Sequence, residues 1–271
     1  MGRMDGKFAV VTGGTQGLGA EVARLFAERG AAGLVICGRS ADKGKARAED
    51  LRQRYGCRVE FVSADLAEVD ACRKVIATAR SAFGRIDALV NVAAITDRGT
   101  ILDTDPALFD RMFAINTRAP FFLMQDTIKL MIETGTEGTI VNISSMSAMA
   151  GQPFIAAYCA SKGAIDTLTR NTAFALLKNR IRVNALNIGW MASDGEDRIQ
   201  REHHGADPDW LSQAAARQPF GRLVDPAEVA RACAYLSSAE SGLMTGATIN
   251  FDQSVWGAYE DNPHPRVAMT V

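Results

Sequence analysis

A tyrosine and a lysine one helical turn apart, Tyr158 and Lys162, stand in a segment patterned as a helix from about 155 to 177. An i, i+4 pair shares one helix face, so the ammonium can lie beside the phenol. A phenol ordinarily gives up its proton near pH 10, too high for acid–base work at neutrality. A fixed positive charge nearby favours the phenolate and lowers that value. Chance alone gives such a pair in about one chain in ten of this composition, so its neighbours must carry the argument. Ser145 lies thirteen residues upstream, just past the apolar run Thr139-Ile-Val-Asn-Ile143. In an open parallel sheet ligands sit at the carboxyl ends of strands. Ser145 is therefore expected to hydrogen-bond a substrate oxygen beside Tyr158.

A second group of residues suits a dinucleotide. The apolar run Phe8-Ala-Val-Val11 leads into Thr12-Gly13-Gly14-Thr15-Gln16-Gly17-Leu18-Gly19. Glycines there let backbone approach a pyrophosphate, and the following helix offers unpaired N–H groups. The spacing is Gly13-x-x-x-Gly17-x-Gly19, not the common Gly-x-Gly-x-x-Gly. The next apolar run ends Cys37-Gly38-Arg39-Ser40, with no carboxylate to bind an adenine ribose hydroxyl. Arg39 can pair with a 2′-phosphate, so NADP is favoured over NAD. Stacking on adenine or facing solvent are the other places for Arg39, and Gln16 adds no second charge.

The elements that must hold these residues alternate along the chain. Strands are expected near 8–11, 34–37, 59–62, 86–90, 139–143, 181–186 and 247–251, with helices between them. Uniformly apolar strands separated by helices imply a parallel sheet covered on both faces. The expected fold is therefore α/β: a Rossmann-type, doubly wound, mostly parallel seven-stranded sheet with helices on both faces. Asp225-Pro226-Ala-Glu228 marks a helix start with a capping box. No linker or repeat interrupts residues 1–271, so one domain is expected. The polar, weakly patterned stretch of about 190–220 is a candidate substrate loop. The tail of about 252–271 is expected to lack regular structure.

Composition narrows the function. The chain is 47% hydrophobic, with 30 basic and 31 acidic residues and a net charge of −1. That leaves no electrostatic footprint for nucleic acid or an anionic membrane. No apolar run is long enough to span a bilayer, and residues 1–7 lack a secretory signal. Five cysteines without a Cys-x-x-Cys pair point to a reduced, cytoplasmic protein. His203 and His204 are adjacent and His264 is remote, so no metal site is expected.

From about Lys7 to Phe251 the sequence resembles the short-chain dehydrogenase/reductase family. The resemblance rests on Thr12-Gly13-x-x-x-Gly17-x-Gly19, Asp65-Leu66, Phe83-Gly-Arg-Ile-Asp87, Asn91, Asn116, Ser145, Tyr158-x-x-x-Lys162 and Arg182-Val-Asn184 in that order. It implies that Tyr158 is the general acid/base. Lys162 lowers its pKa and binds the nicotinamide ribose, and Ser145 donates to the substrate oxygen. Asn116 holds a relay water to the lysine through its backbone. The cofactor contacts it implies are Gly13, Thr15, Gln16, Gly17, Leu18, Gly19, Arg39, Ser40, Asp65, Leu66, Asn91, Ala93, Gly189, Met191 and Ser193, besides Tyr158 and Lys162. Two motifs depart from the family: Asn91-Val-Ala-Ala94 stands for Asn-Asn-Ala-Gly, and Ile188-Gly189 for Pro-Gly. The implied activity is interconversion of a secondary alcohol and a ketone with NAD(P). The charge-rich loop suggests a sugar, a polyol or another small polar alcohol as substrate. A 3-oxoacyl thioester is the alternative, followed by steroid or aromatic ketones. A sugar epimerase or dehydratase and a non-catalytic dinucleotide sensor are further alternatives. The resemblance also implies a homotetramer; the aromatic Trp256 and Tyr259 of the tail are separately expected to pack on a neighbouring subunit.

Overall fold

The computed structural model describes residues 3–149 and 151–255. Most of the 252–271 tail, with Trp256 and Tyr259, lies outside the described residues. Seven strands form one sheet: Phe8–Val11 (β1), Gly33–Gly38 (β2), Arg58–Ser63 (β3), Ala88–Asn91 (β4), Thr139–Ser145 (β5), Arg182–Ile188 (β6) and Thr248–Phe251 (β7). Their order is β3-β2-β1-β4-β5-β6-β7, and every pair is parallel. The sheet is thus parallel throughout. The strand order reverses between β1 and β4, which opens a crevice at their carboxyl ends.

Nine α-helices are described: Gly17–Glu28 (α1), Ala41–Tyr55 (α2), Val69–Phe83 (α3), Pro106–Phe113 (α4), Ala119–Glu133 (α5), Ala156–Ala175 (α6), Asp194–His204 (α7), Trp210–Ala216 (α8) and Pro226–Ser237 (α9). Alternate strand residues point to opposite faces, and two apolar layers result. Val11, Ile36, Val90 and Val141 meet α1, α2 and α9 on one face. Val10, Val35, Leu89 and Ile140 meet α3, α5 and α6 on the other. This is why the strands read as unbroken apolar runs.

Several family motifs prove to be joints of the scaffold. Gly84 ends α3 in the left-handed region at φ 75°, where a side chain would be strained. Asp87 accepts the Phe8 N–H at 2.9 Å and fixes the start of β1. Arg182 donates to the Leu236 and Ser238 carbonyls and thereby closes the end of α9. Asp225 and Glu228 form the expected capping box.

The stretch of about 190–220 differs from the expected unpatterned loop. Ser193 caps α7, and Gly205 ends it at φ 57°. Trp210, Ala214 and Leu223 form a small separate core beneath this segment. Between α4 and α5, residues Ala114–Arg118 widen into a π-turn, a common device at functional sites.

Candidate active site

Ser145 is the last residue of β5, one step inside the strand rather than just past it. Tyr158 and Lys162 lie in the first two turns of α6. The Ser145 side chain neighbours the Tyr158 phenol, and the Ser145 oxygen accepts the Ser147 N–H at 3.1 Å. Lys162 Nζ donates to the Ile143 carbonyl at 2.8 Å and lies 5.6 Å from the Tyr158 ring centroid. The three side chains expected to do the chemistry therefore meet at the carboxyl end of the sheet. Asn116 is buried in the π-turn. Its Oδ1 accepts the Ile95 N–H at 2.9 Å, and its Nδ2 donates to Ser161 Oγ at 3.1 Å. Ser161 in turn donates to the Tyr158 carbonyl at 2.8 Å. Asn116 thus ties the loop after β4 to the turn that carries Tyr158. With Asn91, Asn142 and Lys162 it lines one small gap between strands and helix.

The electrostatics differ from the expectation of a phenol made acidic by its lysine. Tyr158 is only half-buried by surface, yet burial pushes its phenol up to about 12. The Ser145 side chain works against that rise. Cys159 and Glu196 add to it, and Arg98 opposes it. Burial also pushes Lys162 down to about 8, with Asp166 one turn later holding it up. The physical reason is desolvation: both groups sit where their charged forms lose water. The ammonium is engaged by the Ile143 carbonyl and faces the ring. At neutral pH the phenol keeps its proton and is a donor.

The glycine turn fits a dinucleotide phosphate. Helix α1 starts at Gly17 without a side-chain cap and without acidic residues in its first turn. Its N-terminal dipole end is therefore open to an anion. Gly13 and Gly17 have φ of 66° and 53°. A Cβ on Gly17 would meet nothing within 4 Å, whereas one on Gly19 would lie 2.3 Å from the Gly13 carbonyl oxygen. Gly19→Ala is accordingly expected to push the turn open. Its affinity for either dinucleotide should fall by at least about tenfold in a fluorescence titration. Unchanged binding would show that the turn tolerates the shift.

Most of the other residues expected to contact the cofactor have partners of their own. Thr15 packs against Gly38, since a Cβ there would meet its Oγ1 at 2.7 Å. Gln16 occupies the cap position of α1, and Leu18 is buried. Arg39 is exposed, and no described residue bonds its guanidinium. Ser40 caps α2, accepting from the Lys43 N–H at 3.4 Å. Asp65 accepts the Ala67 N–H at 3.0 Å, and its other oxygen is 3.9 Å from Arg111. Leu66 is a correction: its side chain is buried in the second apolar layer, which leaves only its backbone for a ligand. Met191 likewise packs against the first layer and pairs with Val224. Asn91 donates to Asn142 at 2.8 Å, and its buried Oδ1 has no described partner. Ser193 caps α7 by accepting the Glu196 N–H at 3.2 Å.

A short-chain dehydrogenase/reductase family model, described as enoyl-(acyl carrier protein) reductase, matches residues 13–254. The chain belongs to the short-chain dehydrogenase/reductase family. It is an NAD(P)-dependent oxidoreductase of that family. Among its relatives, a galactitol 2-dehydrogenase of Agrobacterium fabrum is 32% identical over 260 residues, covering 94% of this chain and 99% of that protein. An NADP-dependent (R)-specific alcohol dehydrogenase of Lentilactobacillus kefiri is 33% identical, covering 92% and 96%. The crystal structure of L-sorbose reductase from Gluconobacter frateurii, complexed with NADPH and L-sorbose, superposes with a TM-score of 0.87. It is 26% identical and covers 95% of this chain and 99% of that one.

Both departures from the short-chain dehydrogenase/reductase pattern leave the cleft wall standing. Thr12 Oγ1 accepts the N–H groups of Val92 and Ala93 at 2.9 and 3.0 Å, which joins the ends of β1 and β4. Ala93 faces Gly13, where a Cβ would approach to 3.2 Å. Gly189 is required by a neighbour, since a Cβ there would fall 1.9 Å from Asp252 Oδ1. Sequence reasoning missed Asn142, which joins Asn91 to Thr169 across the sheet. An amide in the middle of an apolar strand was the available signal. Glu196 belongs to the charge-rich loop that the sequence offered for a polar substrate, whereas Arg98, the other charge that bears on Tyr158, carried no signal of its own.

Proposed function

We propose that this oxidoreductase interconverts a secondary hydroxyl of a sugar or polyol with the corresponding ketone, and prefers NADP to NAD. The observation that carries the reading is the neighbouring pair of Ser145 and Tyr158 at the carboxyl end of β5, with the buried Lys162 Nζ 5.6 Å from the Tyr158 ring centroid. Bound NAD(P) supplies or takes up the hydride. Gly13, Gly17, Gly19 and the start of α1 hold its pyrophosphate, and Lys162 faces its nicotinamide end. The Ser145 hydroxyl polarises the carbonyl oxygen. The protonated Tyr158 phenol donates to that oxygen during reduction, and in oxidation the proton returns to the phenolate. The galactitol- and sorbose-named relatives support a polyol or ketose substrate. The 3-oxoacyl thioester reading has in its favour a solved structure described as a “putative betaketoacyl-ACP reductase”, 34% identical with a TM-score of 0.78, against the several polyol- and alcohol-named relatives.

The NADP preference rests on the unbonded Arg39 guanidinium after β2 and on the NADP-dependent relative. Turnover of alditols, ketoses and oxoacyl esters, followed at 340 nm with each cofactor, tests both halves. Arg39→Ala should lower kcat/KM for NADP by about tenfold or more and leave NAD within about threefold. A native preference for NAD above about tenfold would contradict the assignment.

We take the protein to be one domain and a homotetramer. The exposed Phe121 on α5 and Phe174 on α6, 43% and 77% accessible, offer apolar surface for subunits to cover. Sedimentation measures the assembly. The five free cysteines, four of them buried, suit a reducing cytoplasm.

A further inference from the structure

Two charged side chains outside the reacting group, Arg98 and Glu196, bear electrostatically on Tyr158. Arg98 follows β4, and its neighbour Gly99 pairs with Ile155. The Gly99 N–H donates to the Phe154 carbonyl at 3.0 Å, and the Ala156 N–H donates to the Gly99 carbonyl at 2.9 Å. This pairing carries Arg98 to the segment that opens α6, next to Tyr158. Arg98 Nε donates to His204 Nε2 at 3.1 Å and Nη1 to the Thr96 carbonyl at 3.0 Å. The guanidinium carbon lies 5.4 Å from the Phe154 ring centroid, and the His204 ring meets Phe154 edge-on. Helix α7, whose last residue is His204, also carries Glu196 near its start. Its Oε1 accepts from Trp190 Nε1 at 2.8 Å and from Gln200 Nε2 at 2.7 Å. Arg98 Nη2 and Glu196 Oε2 have no partner among the described residues. Both charges act on the Tyr158 proton, in opposite directions.

We propose that Arg98 and Glu196 are specificity residues that bind the hydroxyls next to the reacting carbon of a neutral, polyhydroxylated substrate. This deepens the polyol reading above and rests on it. A hydroxyl both donates and accepts, so it can accept a hydrogen bond from the guanidinium and donate one to the carboxylate. Neighbouring hydroxyls on a polyol carbon chain satisfy both groups at once. An apolar acyl or aromatic substrate would cover the two charges and offer no partner to Arg98 Nη2 or Glu196 Oε2. A carboxylate or phosphate on the substrate would face Glu196, and an ammonium would face Arg98. His204 and Phe154 hold the guanidinium, and Trp190 holds the carboxylate. Little side-chain freedom remains to be lost on binding.

The test compares galactitol with 2-butanol, an alcohol without neighbouring hydroxyls, in the native enzyme, Glu196→Gln and Arg98→Met. Glutamine keeps an oxygen for Trp190, and methionine keeps an apolar stem on Phe154. In each variant the ratio of kcat/KM for galactitol over 2-butanol should fall by at least about tenfold, through KM more than kcat. The value for 2-butanol should stay within about threefold of native. A smaller change in the ratio, or parallel losses on both alcohols, overturns the pair's role and leaves the polyol reading intact. A native enzyme that oxidises 2-butanol but no alditol overturns both.

Discussion

Tyr158→Phe is expected to lower kcat/KM by about a thousandfold in both directions while the cofactor dissociation constant stays within about threefold. The phenol is the group beside Ser145 that carries a proton at neutral pH, because burial pushes it up to about 12. General acid–base groups are worth roughly a hundred- to ten-thousandfold, and losing this one also leaves Ser145 to polarise the oxygen alone. The ring survives the substitution. It stays beside Lys162, whose bond to the Ile143 carbonyl does not involve the hydroxyl. Cofactor binding and thermal midpoint should therefore barely move. Steady-state rates with fluorescence titration of NADPH separate the two effects. A variant retaining more than about a tenth of native kcat/KM would assign the proton to another group.

The sheet was readable because its strands are buried on both faces. Val10 and Val11 point into opposite layers, so neither face carries a polar code to confuse the pattern. Helix α3 and the Asp225 capping box were readable from local chemistry alone. The α7–α8 segment was not. Its helices are held by what local pattern cannot show: Trp210 Nε1 donates to Asp197 at 2.7 Å, and Trp190 stacks on Trp210. Ser145, Tyr158 and Lys162 were legible through spacing. The direction of their pKa values was not, because desolvation depends on the packing of β5 and α6, and a sequence spacing records only neighbours. Arg98 is sixty residues from Tyr158, and the Gly99–Ile155 pairing that joins them leaves no periodic trace. Asp166 and Asn187 are similar. A buried carboxylate accepts from a buried amide at 3.0 Å across two elements, and neither residue is remarkable in its own segment.

Lys162→Met should abolish turnover and also change how stability responds to pH. In the folded protein the lysine is 3% exposed and loses its proton near pH 8, against 10.5 for an ordinary lysine. Burying that ammonium costs about 3 kcal/mol, the free-energy equivalent of the shift. The penalty is fully present below pH 8, where folded and unfolded chains both carry the proton. Between pH 8 and 10.5 the folded lysine is neutral while the unfolded one still binds a proton, so native stability gains as pH rises. Methionine carries no such penalty at any pH. Loss of the donor to the Ile143 carbonyl costs the variant a charge-assisted hydrogen bond, roughly 1.5–3 kcal/mol, only where the lysine is charged. At pH 7 the two proteins should therefore be close in stability. At pH 10 the native protein should lead by up to about 3 kcal/mol less whatever its neutral amine surrenders at Ile143. Tyr158 is raised in both and cancels in the difference. Urea unfolding of both proteins at pH 7 and pH 10 measures it. A difference that does not move with pH would mean that folding leaves the lysine's proton affinity unchanged. The positive charge beside Tyr158 would then persist through the alkaline range, and the Ile143 carbonyl with Asp166 would have offset the whole cost of its burial.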